Sequence, residues 1–164
     1  MNQNDFINVN NSIKVLIGTQ GLSFGRAAAM AWVWFNFGSS AYALHIQSCF
    51  RIRDSEEILV TNTDMFEPSE LALSNTEYDP ETFDWDIQGE NQYDEWVRKL
   101  DPNFLSNLRV IDVNVNKYGD LTIQLNHNIA IDVFVNFTTD ECWRFFKTET
   151  DEHLVISGNG LESE

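Results

Sequence analysis

The residues best spaced for chemistry stand at positions 84–95, reading Asp-Trp-Asp-Ile-Gln-Gly-Glu-Asn-Gln-Tyr-Asp-Glu. A calcium loop wants oxygen ligands at positions 1, 3, 5, 7, 9 and 12 and a glycine at 6 for the sharp turn. Here those are Asp84, Asp86, Gln88, the Glu90 carbonyl, Gln92 and Glu95, with Gly89 in place. The match is degenerate. Gln88 stands where Asp or Asn is usual, Asn91 where an apolar residue normally meets a second loop, and Pro80 leaves little room for an entering helix. The plainer reading is an acidic loop running into a helix N-terminus, where the macrodipole favours carboxylates. Calcium is the one cofactor the sequence raises.

A second candidate is a pair of arginines. Cys49-Phe50-Arg51-Ile52 is echoed by Cys142-Trp143-Arg144-Phe145, so Arg51 and Arg144 hold matching places on two strands. Two converging guanidiniums could hold a carboxylate or a phosphate. The competing reading is that each arginine pairs with one of the chain's own acids, since a half-buried guanidinium needs a partner in any fold. Cys49 and Cys142 would be nucleophiles only beside a base. None of His45, His127 and His153 sits in a nucleophile motif, and His45 with Cys49 is too widely spaced along a strand for an ordinary zinc site. Carboxylate pairs such as Glu56/Glu57 arise by chance among 26 acids. Gly18, Gly21 and Gly25 lack the spacing and the lysine of a phosphate loop. An enzyme is therefore the last of the functional readings.

These residues must be positioned by a β-rich frame. The 164 residues are 43% hydrophobic and 13% aromatic, enough for a real core. Strands are expected at 13–17, 22–26, 30–37, 42–53 and 58–61, then at 108–115, 121–125, 129–137, 141–147 and 153–157, from β-branched and aromatic runs closed by turn residues. Gly38-Ser39-Ser40 suits a hairpin turn. Residues 1–11 read as a polar tail, and Gly158-Asn159-Gly160 as the end of the ordered part. Trp32, Trp34, Phe35 and Phe37 must divide between two faces, either as core or as an exposed patch. Tyr93, Trp96, Val97 and Leu100 make one apolar stripe of a helix at about 92–100, and Asp101-Pro102-Asn103 stops it.

The expectation is one α+β, β-dominated domain over 1–164. A first β unit spans 13–62, an acidic insert with the helix spans 63–107, and a second β unit spans 108–158. The two antiparallel meanders echo each other as an internal duplication and form paired sheets or a barrel-like core. In that echo, 13–17 answers 108–112, 30–37 answers 121–126, 42–47 answers 129–135, 49–52 answers 142–145 and 58–61 answers 154–157.

The net charge of −16 is concentrated. Residues 54–97 hold fourteen acids and no Lys or Arg, while the remainder holds twelve acids against ten bases. Such a segment repels nucleic acid and anionic membrane and attracts a basic protein partner. Asp84, Asp86, Glu90 and Asp94 are its central candidates. The apolar run at 27–37 is too short to span a bilayer, the first eleven residues lack a signal peptide's pattern, and a cytoplasmic protein with reduced cysteines is expected.

Several stretches together resemble an uncharacterised bacterial family of small acidic β-rich proteins. They are Leu44-His45-Ile46-Gln47-Ser48-Cys49-Phe50-Arg51-Ile52, Gly119-Asp120-Leu121, Glu141-Cys142-Trp143-Arg144 and His153-Leu154-Val155. The resemblance covers most of residues 13–160 and carries no established activity. By analogy it implies an immunity or antitoxin-like partner of a toxin.

Overall fold

The computed structural model describes residues 1–37 and 40–162, so the turn expected at Gly38 and Ser39 lies outside the described residues. Two antiparallel sheets account for the strands. The first runs in the order β1 (Leu22–Ala27), β2 (Met30–Phe37), β3 (Ser40–Ile46), β9 (Glu141–Lys147), β10 (His153–Ser157), β11 (Gly160–Glu162). The second runs β5 (Ile58–Thr61), β4 (Phe50–Arg53), β8 (Ala130–Val133), β7 (Leu121–Leu125), β6 (Val110–Val115). They are not closed into a barrel.

The echo in the sequence is an echo in topology, with an exchange. The order β1-β2-β3-β9-β10 maps onto β6-β7-β8-β4-β5, so the last two strands of each half complete the sheet of the other half. The register agrees to the residue. His45 faces Arg144 across β3 and β9, and Asp132 faces Arg51 across β8 and β4. Where the chain leaves β3, the Gln47 N–H donates to the Cys142 carbonyl at 2.9 Å; where it leaves β8, the Phe134 N–H donates to the Cys49 carbonyl at 2.8 Å. The expected strand at 42–53 is thus broken at 47–49, where the chain crosses from one sheet to the other.

Alternation does the rest. In the first sheet the rows Ala31–Ile46–Trp143–Ile156 and Val33–Leu44–Phe145–Leu154 face inward, and Trp32, Trp34, His45, Arg144, Phe146 and His153 face outward. In the second, Phe50, Ile52, Val113, Val115, Leu121, Ile123, Ile131 and Val133 face inward and merge with the first set into one core. Each such Leu, Ile or Phe removed from water contributes about 1.5–3 kcal/mol. Trp143 is fully buried because its one polar atom is satisfied, Nε1 donating to the Gly119 carbonyl at 2.9 Å. Gly119 has φ +96°, and a Cβ there would stand 2.9 Å from Ile156, so the β6–β7 turn requires glycine on both counts.

Residues 1–17 depart from expectation. Helix α1 (Gln3–Ile13) replaces the polar tail, and a 3-10 turn, Lys14–Leu16, replaces the strand at 13–17. Asn2 caps the helix by accepting from the Asp5 N–H, and Val9, Ile13 and Leu16 form a buried stripe at helical spacing. The true counterpart of β6 is therefore β1. The last pair of the echo is shifted as well: Val60 answers Leu154, since both oppose the residue after the matching arginine. The chain also continues past Gly158 into β11, and the strand expected at 129–137 ends at Val133.

The β6 edge of the second sheet is covered. The Asn10 side chain acts as a short strand against β6, donating to the Val115 carbonyl and accepting its N–H, both at 3.2 Å. Gln20 bridges to Arg109, tying the lead-in of β1 to that of β6. The insert between β5 and β6 supplies α2 (Glu70–Leu73), α3 (Gln92–Lys99) and α4 (Pro102–Asn107). Asp101 both follows α3 and caps α4, with Pro102 in its first turn. Tyr93 on α3 is the anchor: its ring meets Phe50 at 5.9 Å and its hydroxyl donates to the Gly25 carbonyl at 3.1 Å. Burial pushes its phenol well above the usual range.

Candidate functional site

The loop at 84–95 is built around an arginine. Arg26 is the penultimate residue of β1, with its side chain wholly buried. Its Nε and Nη2 donate to the two Asp94 carboxylate oxygens at 2.9 and 2.8 Å. Nη2 also donates to the Asp86 and Ile87 carbonyls at 3.3 and 3.2 Å, and Nη1 reaches the Asp86 carboxylate at 3.4 Å and the Ala28 carbonyl at 3.1 Å. A guanidinium thus fills the point on which Asp86 and Asp94 converge.

The other expected calcium ligands are not gathered there. Glu95 turns away and accepts from the Glu70 N–H at 2.7 Å, with Lys99 and Arg98 beside it. Those contacts, the Glu70 amide first, hold its carboxyl below the usual range. Asp84 accepts from the Asp86 N–H, and Gln88, Glu90 and Gln92 are exposed. Among the described residues no group of three or more His, Cys, Asp or Glu side chains is placed to share a metal ion.

What the clasp does is hold the insert against β1 and present its acids outward. Of the fourteen acids at 54–97, Asp86 and Asp94 meet Arg26, and Glu70 and Glu95 meet Lys99 or Arg98. The remaining ten have no cation within ion-pair reach among the described residues. Among them Glu77, Asp79 and Glu90 line a shallow pocket of about 280 Å³, whose floor carries Ala72, Tyr78 and Phe83. Leu71 lines it too and is 60% exposed, and elsewhere in the insert Leu73 and Ile87 are 54% and 48% exposed. An apolar centre with a charged rim is the anatomy of a protein-binding patch. The charged groups lining the pocket here are all acidic, among uncharged Ser69, Asn75 and Thr82.

The two arginines of the echo do not converge. Arg51 lies on the outer face of the second sheet and Arg144 on the outer face of the first, with the core between them. Each meets an acid of its own. Arg51 Nε donates to Asp132 at 2.9 Å, and Arg144 makes a two-pronged contact with Glu141 while its Nη1 lies 2.9 Å from His153 Nδ1. The contact with Arg144 holds the Glu141 carboxyl below the usual range.

Two neighbours were not anticipated. Arg53, two residues after Arg51 and so on the same face, donates its Nε to the same Asp132 oxygen at 2.8 Å. Asp132 is the one acid in the apolar run Ala130-Ile131-Asp132-Val133, and that isolation was the available signal. The outward aromatic set of the first sheet is also clear only in three dimensions. Trp32 meets Trp34 edge-on at 5.9 Å, and Phe146 contacts His45 at 4.9 Å and stacks on His153 at 4.4 Å.

Both cysteines are free, Cys49 half-buried. Cys142 is buried, and Cys49 accepts from the Asn136 side-chain amide at 3.0 Å. Among the described residues no helix is long and apolar enough to cross a membrane. No family model matches the chain, and no curated protein or solved structure matches it either.

Proposed function

We propose that this chain is a non-enzymatic, cytoplasmic binding protein that engages a basic protein partner through its insert, in the manner of an immunity or antitoxin-like factor. The observation that carries the reading is the pocket of Leu71, Tyr78 and Phe83 with the acids Glu77, Asp79 and Glu90, in an insert that also exposes Leu73 and Ile87. Its occupant is a Lys- or Arg-bearing surface with apolar side chains at its centre. The charge steers the encounter, and the apolar centre supplies residence time.

The products of the adjacent genes are the partners to try, by co-purification and then by surface plasmon resonance. With a partner in hand, Glu77→Lys, Asp79→Lys, Asp84→Lys and Glu90→Lys together should slow association by about ten-fold or more at low salt, and wild-type association should slow steeply as salt rises. None of the four side chains bonds Arg26, and far-UV circular dichroism of the variant checks that the fold is kept. An on-rate that ignores both salt and the reversal overturns the reading.

A further inference from the structure

The charge pairing on the second sheet is unlike that elsewhere in the molecule. At Arg26 one cation meets two acids; at Lys99 and Arg98 two cations meet Glu70 and Glu95; at Arg144 one cation meets Glu141. Arg98 and Lys99 also share Glu95, but Glu70 balances the second cation there; only at Asp132 do the cations of an ion-paired group outnumber its acids among the described residues. In a chain with 26 acids and 10 bases, that local excess of positive charge runs against the whole composition.

The geometry of the excess is specific. Both arginines reach the same Asp132 oxygen through Nε, and Thr122 donates to the other oxygen at 3.1 Å. Partial burial works against ionisation of Asp132, and the Arg53, Arg51 and Thr122 hydrogen bonds outweigh it, so its carboxyl stays below the usual range. The acid is therefore satisfied. The Nη edges of both guanidiniums meet no partner among the described residues. The two side chains remain 40% and 34% exposed. Arg51 is further fixed by lying over the Phe134 ring, 5.3 Å from its centre. Two guanidiniums are thus held on one carboxylate oxygen, partly exposed and with Nη groups that bond nothing among the described residues, already ordered before any ligand arrives.

We infer that Arg51 and Arg53 form a binding site for a small tetrahedral oxyanion, a phosphate or phosphate ester, on the outer face of the second sheet. The net charge of −16 rejects polyanions, and the nearby acids Asp54, Glu56 and Glu57 close the β4–β5 end, so the ligand is small. The site is separate from the insert and stands or falls independently of the partner reading.

The test follows the arginine side-chain Nε–H signals of the full chain by NMR during titration with inorganic phosphate, glycerol phosphate, acetate, and sodium chloride at matched ionic strength. Arg51 and Arg53 should shift saturably with phosphate or its ester and not with chloride, while Arg144 stays still. Whichever of the two phosphates binds tighter names the source. Arg51→Gln and Arg53→Gln, made singly, each leave Asp132 one arginine and so preserve the fold; each should weaken binding about ten-fold, the loss of one charge-assisted contact. Shifts that track ionic strength alone, affinity untouched by both substitutions, or acetate binding tighter than phosphate would each overturn the site.

Discussion

Replacing Arg26 by Met tests how the insert is attached. Met keeps most of the side-chain stem and removes the guanidinium. Asp94, whose side chain is only 10% exposed, then loses both of its short bonds to the guanidinium, and the Asp86 and Ile87 carbonyls lose their donor. Removing one partner of a buried ion pair costs about 3–5 kcal/mol, because the remaining charge stays desolvated. For a chain of this size that is roughly a 10 °C fall in melting temperature. Asp86 is the internal control. It is 57% exposed and touches Arg26 at 3.4 Å, so Asp86→Asn should cost under about 1 kcal/mol. Urea denaturation measures both, and limited proteolysis adds the location: Arg26→Met should open cleavage sites at 79–91 before the strands become accessible. A loss below about 1 kcal/mol for Arg26→Met would refute the view that this guanidinium organises the loop.

Asn10→Ala removes both hydrogen bonds to Val115 at the β6 edge and should cost about 1–3 kcal/mol by urea denaturation, with more self-association because the edge is bared. Burial first, then Arg144, holds the His45 imidazole below its ordinary pKa, with Glu141 opposing and His153 assisting. The unfolded chain therefore takes up that proton more readily. The His45 contribution is complete above its ordinary pKa of about 6.5 and declines as pH falls below that, so His45→Gln should flatten the dependence of the urea midpoint on pH on the acid side. Calcium at millimolar concentration should release no heat with the wild-type chain in calorimetry, since Arg26 already occupies the centre of the 84–95 loop; saturable uptake would contradict that.

Strand content was legible because most of it rests on alternation, which a linear chain displays directly. The Cys-aromatic-Arg echo located matching strands, since an inward aromatic followed by an outward arginine is one pleat of the same sheet position in both halves. The exchange of strand pairs between sheets was not legible, because the local pattern of β4 is the same whichever sheet receives it. Residues 13–17 misled for a different reason. Their β-branched side chains favour a strand, yet Val9, Ile13 and Leu16 already spell a helical stripe across an Asn-rich segment. At the site, the concentration of acids was plain from the sequence. Which acids are spent internally was not, because Arg26 lies some sixty residues from Asp86 and Asp94 in the chain.

The exchanged strands also bear on synthesis. A nascent chain that has finished the insert carries β4 and β5 with nothing to receive them, and a β3 whose second neighbour is still unmade. Both vacancies are filled only when residues 130–147 leave the ribosome. A truncated product, or a chain stalled before that point, would expose bare strand borders to its neighbours, the circumstance in which copies swap arms or aggregate instead of closing on themselves.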